Sequence, residues 1–230
     1  SGGIIATSVG SADTASITAA AGDITLGSVT AAGAVDITAT LGSINDATTD
    51  LVVADVSGSA ITLIAATGIG STQALEFVDS ASVNASVTGT GNINLQGLGA
   101  LTLGNANTAA GSITVGAAGA LVATLVDATG GLVDLDAAGL LTATSVTTNT
   151  SGIIDLDTSS GGIIATSVGS ADTASITAAA GDITLGSVTA VNAVDITSTA
   201  GSINDATADA TADVSGSAIT LLAATGIGSG

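Results

Sequence analysis

The sequence predicts an all-β chain, a parallel β-solenoid of about 20 residues per coil and roughly eleven coils. The first observation behind this is a short repeat: the segments 91–106, 111–126, 131–146 and 152–168 superpose when each is shifted by one such period. The superposition puts glycine on glycine, Ile93 on Ile113, Val133 and Ile154, and Leu95 on Val115, Leu135 and Leu156. The second is that each repeat holds two runs of alternating apolar and polar residues, with Leu101, Leu121, Leu141 and Ile163 opening the second run and Leu103, Ala123, Ala143 and Ala165 following. Alternation marks strands with one buried face, and a fixed period of about 20 residues marks units that bury that face only by stacking on their neighbours. The third is a longer repeat, since residues 1–31 return unchanged as residues 160–190.

The single continuous segment 1–230 therefore divides into a long repeat, 1–159, of about eight coils, and a partial second copy, 160–230. Within the first copy, Gly22 opens GDITLGSVT, sending Ile24, Leu26 and Val29 inward and Thr25 outward. Gly33 precedes AVDITAT, with Val35 and Ile37 inward and Asp36 outward. In GSINDA the coil pattern puts Asp46 at a normally apolar place, and because Asn and Asp form turns the strand is expected to stop there. The segment DATTDLVVADVSGS becomes the shorter DATADATADVSGS in the second copy. A residue lost inside a paired strand would turn every later side chain to the wrong face, so this segment is expected to be a loop. Residues 71–90 fit the pattern worst, adding about ten residues before Gly91 restores it, and predict an extra strand or bulging loop with Leu75 and Phe77 on the core edge.

Composition narrows the function. The chain has no Lys, Arg, His, Cys, Met, Pro, Trp or Tyr, one Phe, and 19 acidic side chains, for a formal charge of −19. Nucleic acid and anionic membrane would be repelled, and counter-ions have to come from solvent. No apolar run of about 18 residues suggests membrane insertion. Neither end carries a polar cap, which leads to the expectation of a rod that continues in a longer chain or stacks end to end on copies of itself, with lateral association of its smooth Ala, Ser and Thr faces.

The phrases GDITLGSVTA, GSINDA, ITLIAATGIGS and TGTGNINLQGLGALTL resemble the repeats of filamentous haemagglutinin-like giant bacterial surface proteins. That resemblance covers nearly the whole chain and implies a right-handed β-helix, secretion to the bacterial cell surface, and work as an adhesin, fibre or sheath. The secretion domain found at the head of such proteins is not among these residues. The function expected is that of a structural, extracellular filament segment, the runner-up being an adhesin stalk whose receptor-binding region lies outside it.

Other functions fit the residues less well. Pectin-degrading lyases resemble this fold but need a basic residue beside calcium, and the chain has none. Asp134 and Asp136 could form the carboxylate pair of a glycoside hydrolase, yet no aromatic residue is at hand to stack a sugar, and hydroxyl nucleophiles lack a base. No enzyme is expected. Ice binding would use the outward Thr124, Thr144 and Thr166, but that column also holds Gly104 and Gly186, and its neighbour reads Thr102, Val122, Thr142, Ile164, Thr184 and Asn204. GTGN at 89–92 lacks the lysine and helix of a phosphate loop, and the nonapeptide calcium repeat does not occur.

The one candidate ligand site is acidic. Asp134 and Asp136 alternate on one strand and share its outward face; Asp155 and Asp157, one coil later, should lie directly above them. Like charges about 5 Å apart repel by about 0.8 kcal/mol in water and about 3 kcal/mol at an effective dielectric constant of about 20. Salt screening with raised carboxylate pKa values is one relief. A calcium ion bridging the four, with oxygen ligands at about 2.3 to 2.6 Å, is the other, and calcium is the only cofactor in question.

Overall fold

The computed structural model describes residues 2–48, 50–79, 81–207 and 209–228. Thr49, Ser80 and Ala208, within the two irregular segments read above and the second copy of the first, lie outside them, as do Ser1 and the last two residues of the terminal GIGSG. The described residues form strands and no helix, so no helix long and apolar enough to cross a membrane is among them. Every strand pairing is parallel, and the strands lie in two sheets of 15 and 12 strands. The first sheet has a path of eleven successive strands, one per coil, so the fold is the expected β-solenoid of about eleven coils.

The register follows the sequence columns. Ile93 pairs with Ile113, Ile113 with Val133 and Val133 with Ile154, while Leu95, Val115, Leu135 and Leu156 stack beside them. On the second face Leu101, Leu121, Leu141 and Ile163 form one column and Leu103, Ala123, Ala143 and Ala165 another. All of these are buried, as are Ile24, Leu26, Val29, Val35 and Ile37 in the earlier coils. At about 25 cal/mol per Å² of apolar area, each buried Ile or Leu contributes about 2 to 3 kcal/mol.

Glycine closes the corners. A Cβ on Gly131 would lie 2.2 Å from the carbonyl oxygen of Gly111, and one on Gly111 only 1.9 Å from that of Gly91. Successive corners therefore meet backbone to backbone, with no room for a side chain between them. Buried hydroxyls finish these corners: Thr108 donates to the Gly91 carbonyl at 2.8 Å and accepts from the Gly111 amide at 3.0 Å. Ser198 does the same for Gly181 and Gly201.

The half-coil is the unit of construction. Up to residue 77 the first face carries a long, kinked half-coil, as in Ile4–Ala6 followed by Val9–Ser11, and the second face a short straight one, as in Ala15–Ala19. From residue 93 the arrangement is reversed, with short strands such as Ile93–Gly97 on the first face and long, kinked strands such as Leu101–Thr108 on the second. The stretch that breaks the sequence pattern includes a half-coil of its own, Ala81–Val87, which pairs with Ala60–Ala65 on one side and Leu101–Thr108 on the other. Counting it, the long repeat holds eight half-coils on the first face and seven on the second, fifteen in all, or seven and a half coils. An odd count places the second copy on the opposite face: Ile4–Ala6 belongs to the first sheet and its identical counterpart, within Ile163–Ser170, to the second.

Leu75 and Phe77 are fully buried in this exchange region, deeper than the core edge expected of them, and Phe77 pairs with Val56 below and Gly97 above. The segment after Asp46 lacks strand structure over residues 50–55, and Leu51, Val52 and Val53 are exposed, as a loop requires.

Gly131→Ala should destabilise the rod by about 1 to 3 kcal/mol, because the obstructing atom is backbone and cannot swing away. Gly169→Ala, whose Cβ would meet nothing closer than 3.7 Å, should change the melting temperature little. Thermal denaturation of the two variants side by side checks the corner assignment, and equal melting temperatures would contradict it.

Candidate functional site

The structure brings the four predicted aspartates together. Asp134 pairs in register with Asp155, and Asp136 with Asp157, on the outer surface of the first sheet. They are not bare surface charges, since the Oδ1 atoms of Asp155 and Asp157 are buried without a hydrogen-bond partner. Asp136 and Asp157 line a shallow open groove of about 560 Å³ with Gln96, Thr177 and several alanines. Burial, and then the charges of Asp136, Asp155 and Asp157, push the Asp134 carboxyl up to about 6. Asp136 is raised by burial and then by Asp155; Asp157 is raised by burial and then by Asp155, with a Thr177 hydroxyl pulling the other way. The four stand as two facing pairs, and no three of them offer oxygens that all fall within 4.8 Å of one another.

The threonine columns lie where the register puts them. Thr102, Val122, Thr142, Ile164, Thr184 and Asn204 stack in order, whereas Thr124, Thr144 and Thr166 fall at the strand kink, where ladder pairing is interrupted.

A second acidic group was not foreseen as a site. Asp46, Asp55 and Glu76, with relative exposures of 6%, 1% and 0%, each present an oxygen within 4.8 Å of the others, and they are the one such set among the described residues. The strand Ser43–Asp46 does end at Asp46, but the residue is not turned out to solvent as a turn former would be. It pairs with Leu26 and keeps the buried place of the apolar column. Its Oδ1 accepts from the Thr48 amide and hydroxyl at 2.7 and 2.9 Å, which leaves Oδ2 buried and unpartnered.

Asp55 comes from the far end of the same loop, one residue before Val56–Ser57, and Glu76 from the next coil up, in Leu75–Phe77. The two are held by main chain: the Asp55 amide donates to the Glu76 carbonyl at 3.0 Å, and the Glu76 amide to Asp55 Oδ2 at 3.0 Å. Gln73 Nε2 ties the two irregular segments together by donating to the Asp50 carbonyl at 2.7 Å. Burial above all, with the neighbouring Glu76 and Asp46 carboxylates adding to it, pushes the Asp55 carboxyl up to about 9. Glu76 is raised by burial, against the lowering effect of the adjacent Asp55 carboxyl.

Two other carboxylates are well served by donors. Asp23 Oδ1 accepts from the Ser43 amide and hydroxyl at 2.8 and 2.9 Å, and Asp182 accepts from Ser202 in the same way at 2.8 Å each. Both carboxyls are held below the usual range by those bonds, the amide first.

Comparison with protein-family models, with curated proteins and with solved structures returned no match.

The stacked aspartates make a pH prediction. A carboxyl whose folded pKa is raised from 3.8 to about 6 binds its proton more tightly in the folded rod. Its contribution to stability is therefore complete at low pH and is lost as pH rises through about 6. In chelator, the melting temperature should rise between about pH 7.5 and about pH 5, and Asp134→Asn should raise it at the upper end and flatten the slope. Asp55, protonated up to about 9, adds its own slope over that range, so the flattening is partial. A slope unchanged by Asp134→Asn would show that the stacked pair carries no strain.

Proposed function

We propose that the chain is a structural segment of an extracellular filament on a bacterial surface, working as a shaft and not as a catalyst. The observation that carries this reading is the acceptance of one sequence, 1–31 and again 160–190, at two heights of the rod and on both of its faces. A fold that reuses the same half-coils in either setting is suited to setting length, since each repeat adds ladder, core and corners of the same kind. Smooth outer columns of Thr, Ser, Ala and Gly and a charge of −19 suit an extended, solvated surface that does not collapse on itself. The resemblance of GDITLGSVTA, GSINDA and TGTGNINLQGLGALTL to filamentous haemagglutinin-like repeats supports the same reading and supplies its cell-surface setting.

Two measurements test it. In tandem arrays of residues 1–159, each added copy should lengthen the particle by about 36 Å, from seven and a half coils at about 4.8 Å. Electron microscopy of arrays of increasing copy number reads this directly, and compact particles of constant width and length would contradict it. Antibody raised against the rod should label intact source cells along filaments. Labelling only after the cells are permeabilised would overturn the extracellular assignment.

A further inference from the structure

The buried acidic group lies where the rod changes its construction. Below it the first face carries long half-coils, and above it short ones. The coil from Ile44 to Ile69 and the next, from Ile69 to Ile93, are both longer than the regular coil that runs from Ile24 to Ile44. Gly70, at φ +65°, turns the chain out of the ladder before Leu75–Phe77 rejoins it.

Into this junction point four carboxylate oxygens with no hydrogen-bond partner: Asp46 Oδ2, Asp55 Oδ1, and both oxygens of Glu76, a side chain with no solvent exposure. Buried carboxylates without donors are costly, and a chain with no Lys, Arg or His cannot supply a counter-charge. One proton shared between Asp55 and Glu76 would answer part of that need and leave Asp46 Oδ2 unsatisfied.

We propose that Asp46, Asp55 and Glu76 bind a calcium ion that pins the loop following Asp46 to the next coil. Oxygens on one calcium at about 2.3 to 2.6 Å lie at most about 5 Å apart, which the 4.8 Å limit on this set meets. An all-oxygen set, in a chain lacking histidine and cysteine, selects a hard cation. The two free oxygens of Glu76 favour calcium, which takes bidentate carboxylates, over magnesium, which prefers a strict octahedron and keeps its waters. The ion would join both ends of the loop, Asp46 and Asp55, to Leu75–Phe77 above.

The second copy carries the lower part of the same arrangement. Asp205 pairs with Leu185 as Asp46 does with Leu26, and Val214, following Asp213, pairs with Val188 as Val56 does with Val29. The loop between these aspartates differs in length and sequence, yet the acid stands at both of its ends. Glu76, the only glutamate, has no counterpart within the 230 residues, so one complete site per chain is expected.

Isothermal titration calorimetry of the chelator-treated full chain with calcium chloride at neutral pH and constant ionic strength should show one strong site per chain. At a hundredfold excess of calcium over Kd the melting temperature should rise by roughly 5 to 10 °C. Glu76→Gln, nearly isosteric and less charged, should fold, lose the strong site and melt at a temperature that calcium no longer changes. Asp134→Asn combined with Asp155→Asn should retain the site. No heat and no calcium-dependent melting in the wild-type chain would overturn the proposal in favour of the shared proton. A strong site that survives Glu76→Gln, or that disappears with Asp134→Asn and Asp155→Asn, would overturn it in favour of the stacked aspartates.

Discussion

Each coil finds partners for its main chain only in the coils above and below, through a parallel ladder held in register, and that constraint governs what the sequence contains. In a parallel in-register stack, residues one coil apart lie about 4.8 Å from each other on the same face. An aliphatic residue repeated at the coil period becomes a continuous buried column, as from Ile93 to Ile154. Glycine so repeated becomes a corner at which successive backbones touch. The same rule turns aspartates repeated one coil apart into stacked like charges, and with no basic side chain in the protein their repulsion can be relieved only by protons or cations from solvent.

The exchange of faces shows how local this organisation is. Residues 1–31 and 160–190 are identical, yet each half-coil of the first lies on the face opposite its counterpart in the second, so what a half-coil requires is a neighbour of its own kind and not a particular side of the rod. The polar corners agree: Asp23 with Ser43 and Asp182 with Ser202 make the same pair of hydrogen bonds in the two settings. The price of this freedom is a junction, between residues 69 and 101, where long and short half-coils change places. Phe77, the only aromatic residue, fills space there, stacked between Val56 and Gly97.

Sequence periodicity made the columns, corners and stacked aspartates legible because each depends on residues one coil apart. It did not make the face exchange legible, since that depends on whether the half-coils in the long repeat number odd or even, and residues 71–90 obscure the count. The acidic junction was hidden for a related reason. Asp46 and Asp55 stand at the two ends of one loop, less than half a coil apart in sequence, and Glu76 lies on an irregular strand, so the coil template does not group the three. One signal was present: the coil pattern put Asp46 in an apolar column. Turn propensity offered an easy explanation for it, and the structure shows the side chain remaining in that column.

The two acidic groups have the same chemistry but different surroundings, and this separates their roles. Asp136 and Asp157 border an open groove, where water and salt can screen charge, and beside them an Asp134 pKa of about 6 lets a proton relieve the remainder. Glu76 has neither solvent nor a donor, although its main chain is fixed on both sides by pairing with Asp55 and Gln96. A regular coil can be copied indefinitely because its needs are met by the adjacent coil. At a junction the coil above differs from the coil below, so part of the bonding has to be supplied by residues that do not repeat. In this rod the only glutamate and the only aromatic residue are adjacent in sequence and both lie there. The position least like the rest of the repeat is thus the one at which the chain has placed its most specialised side chains.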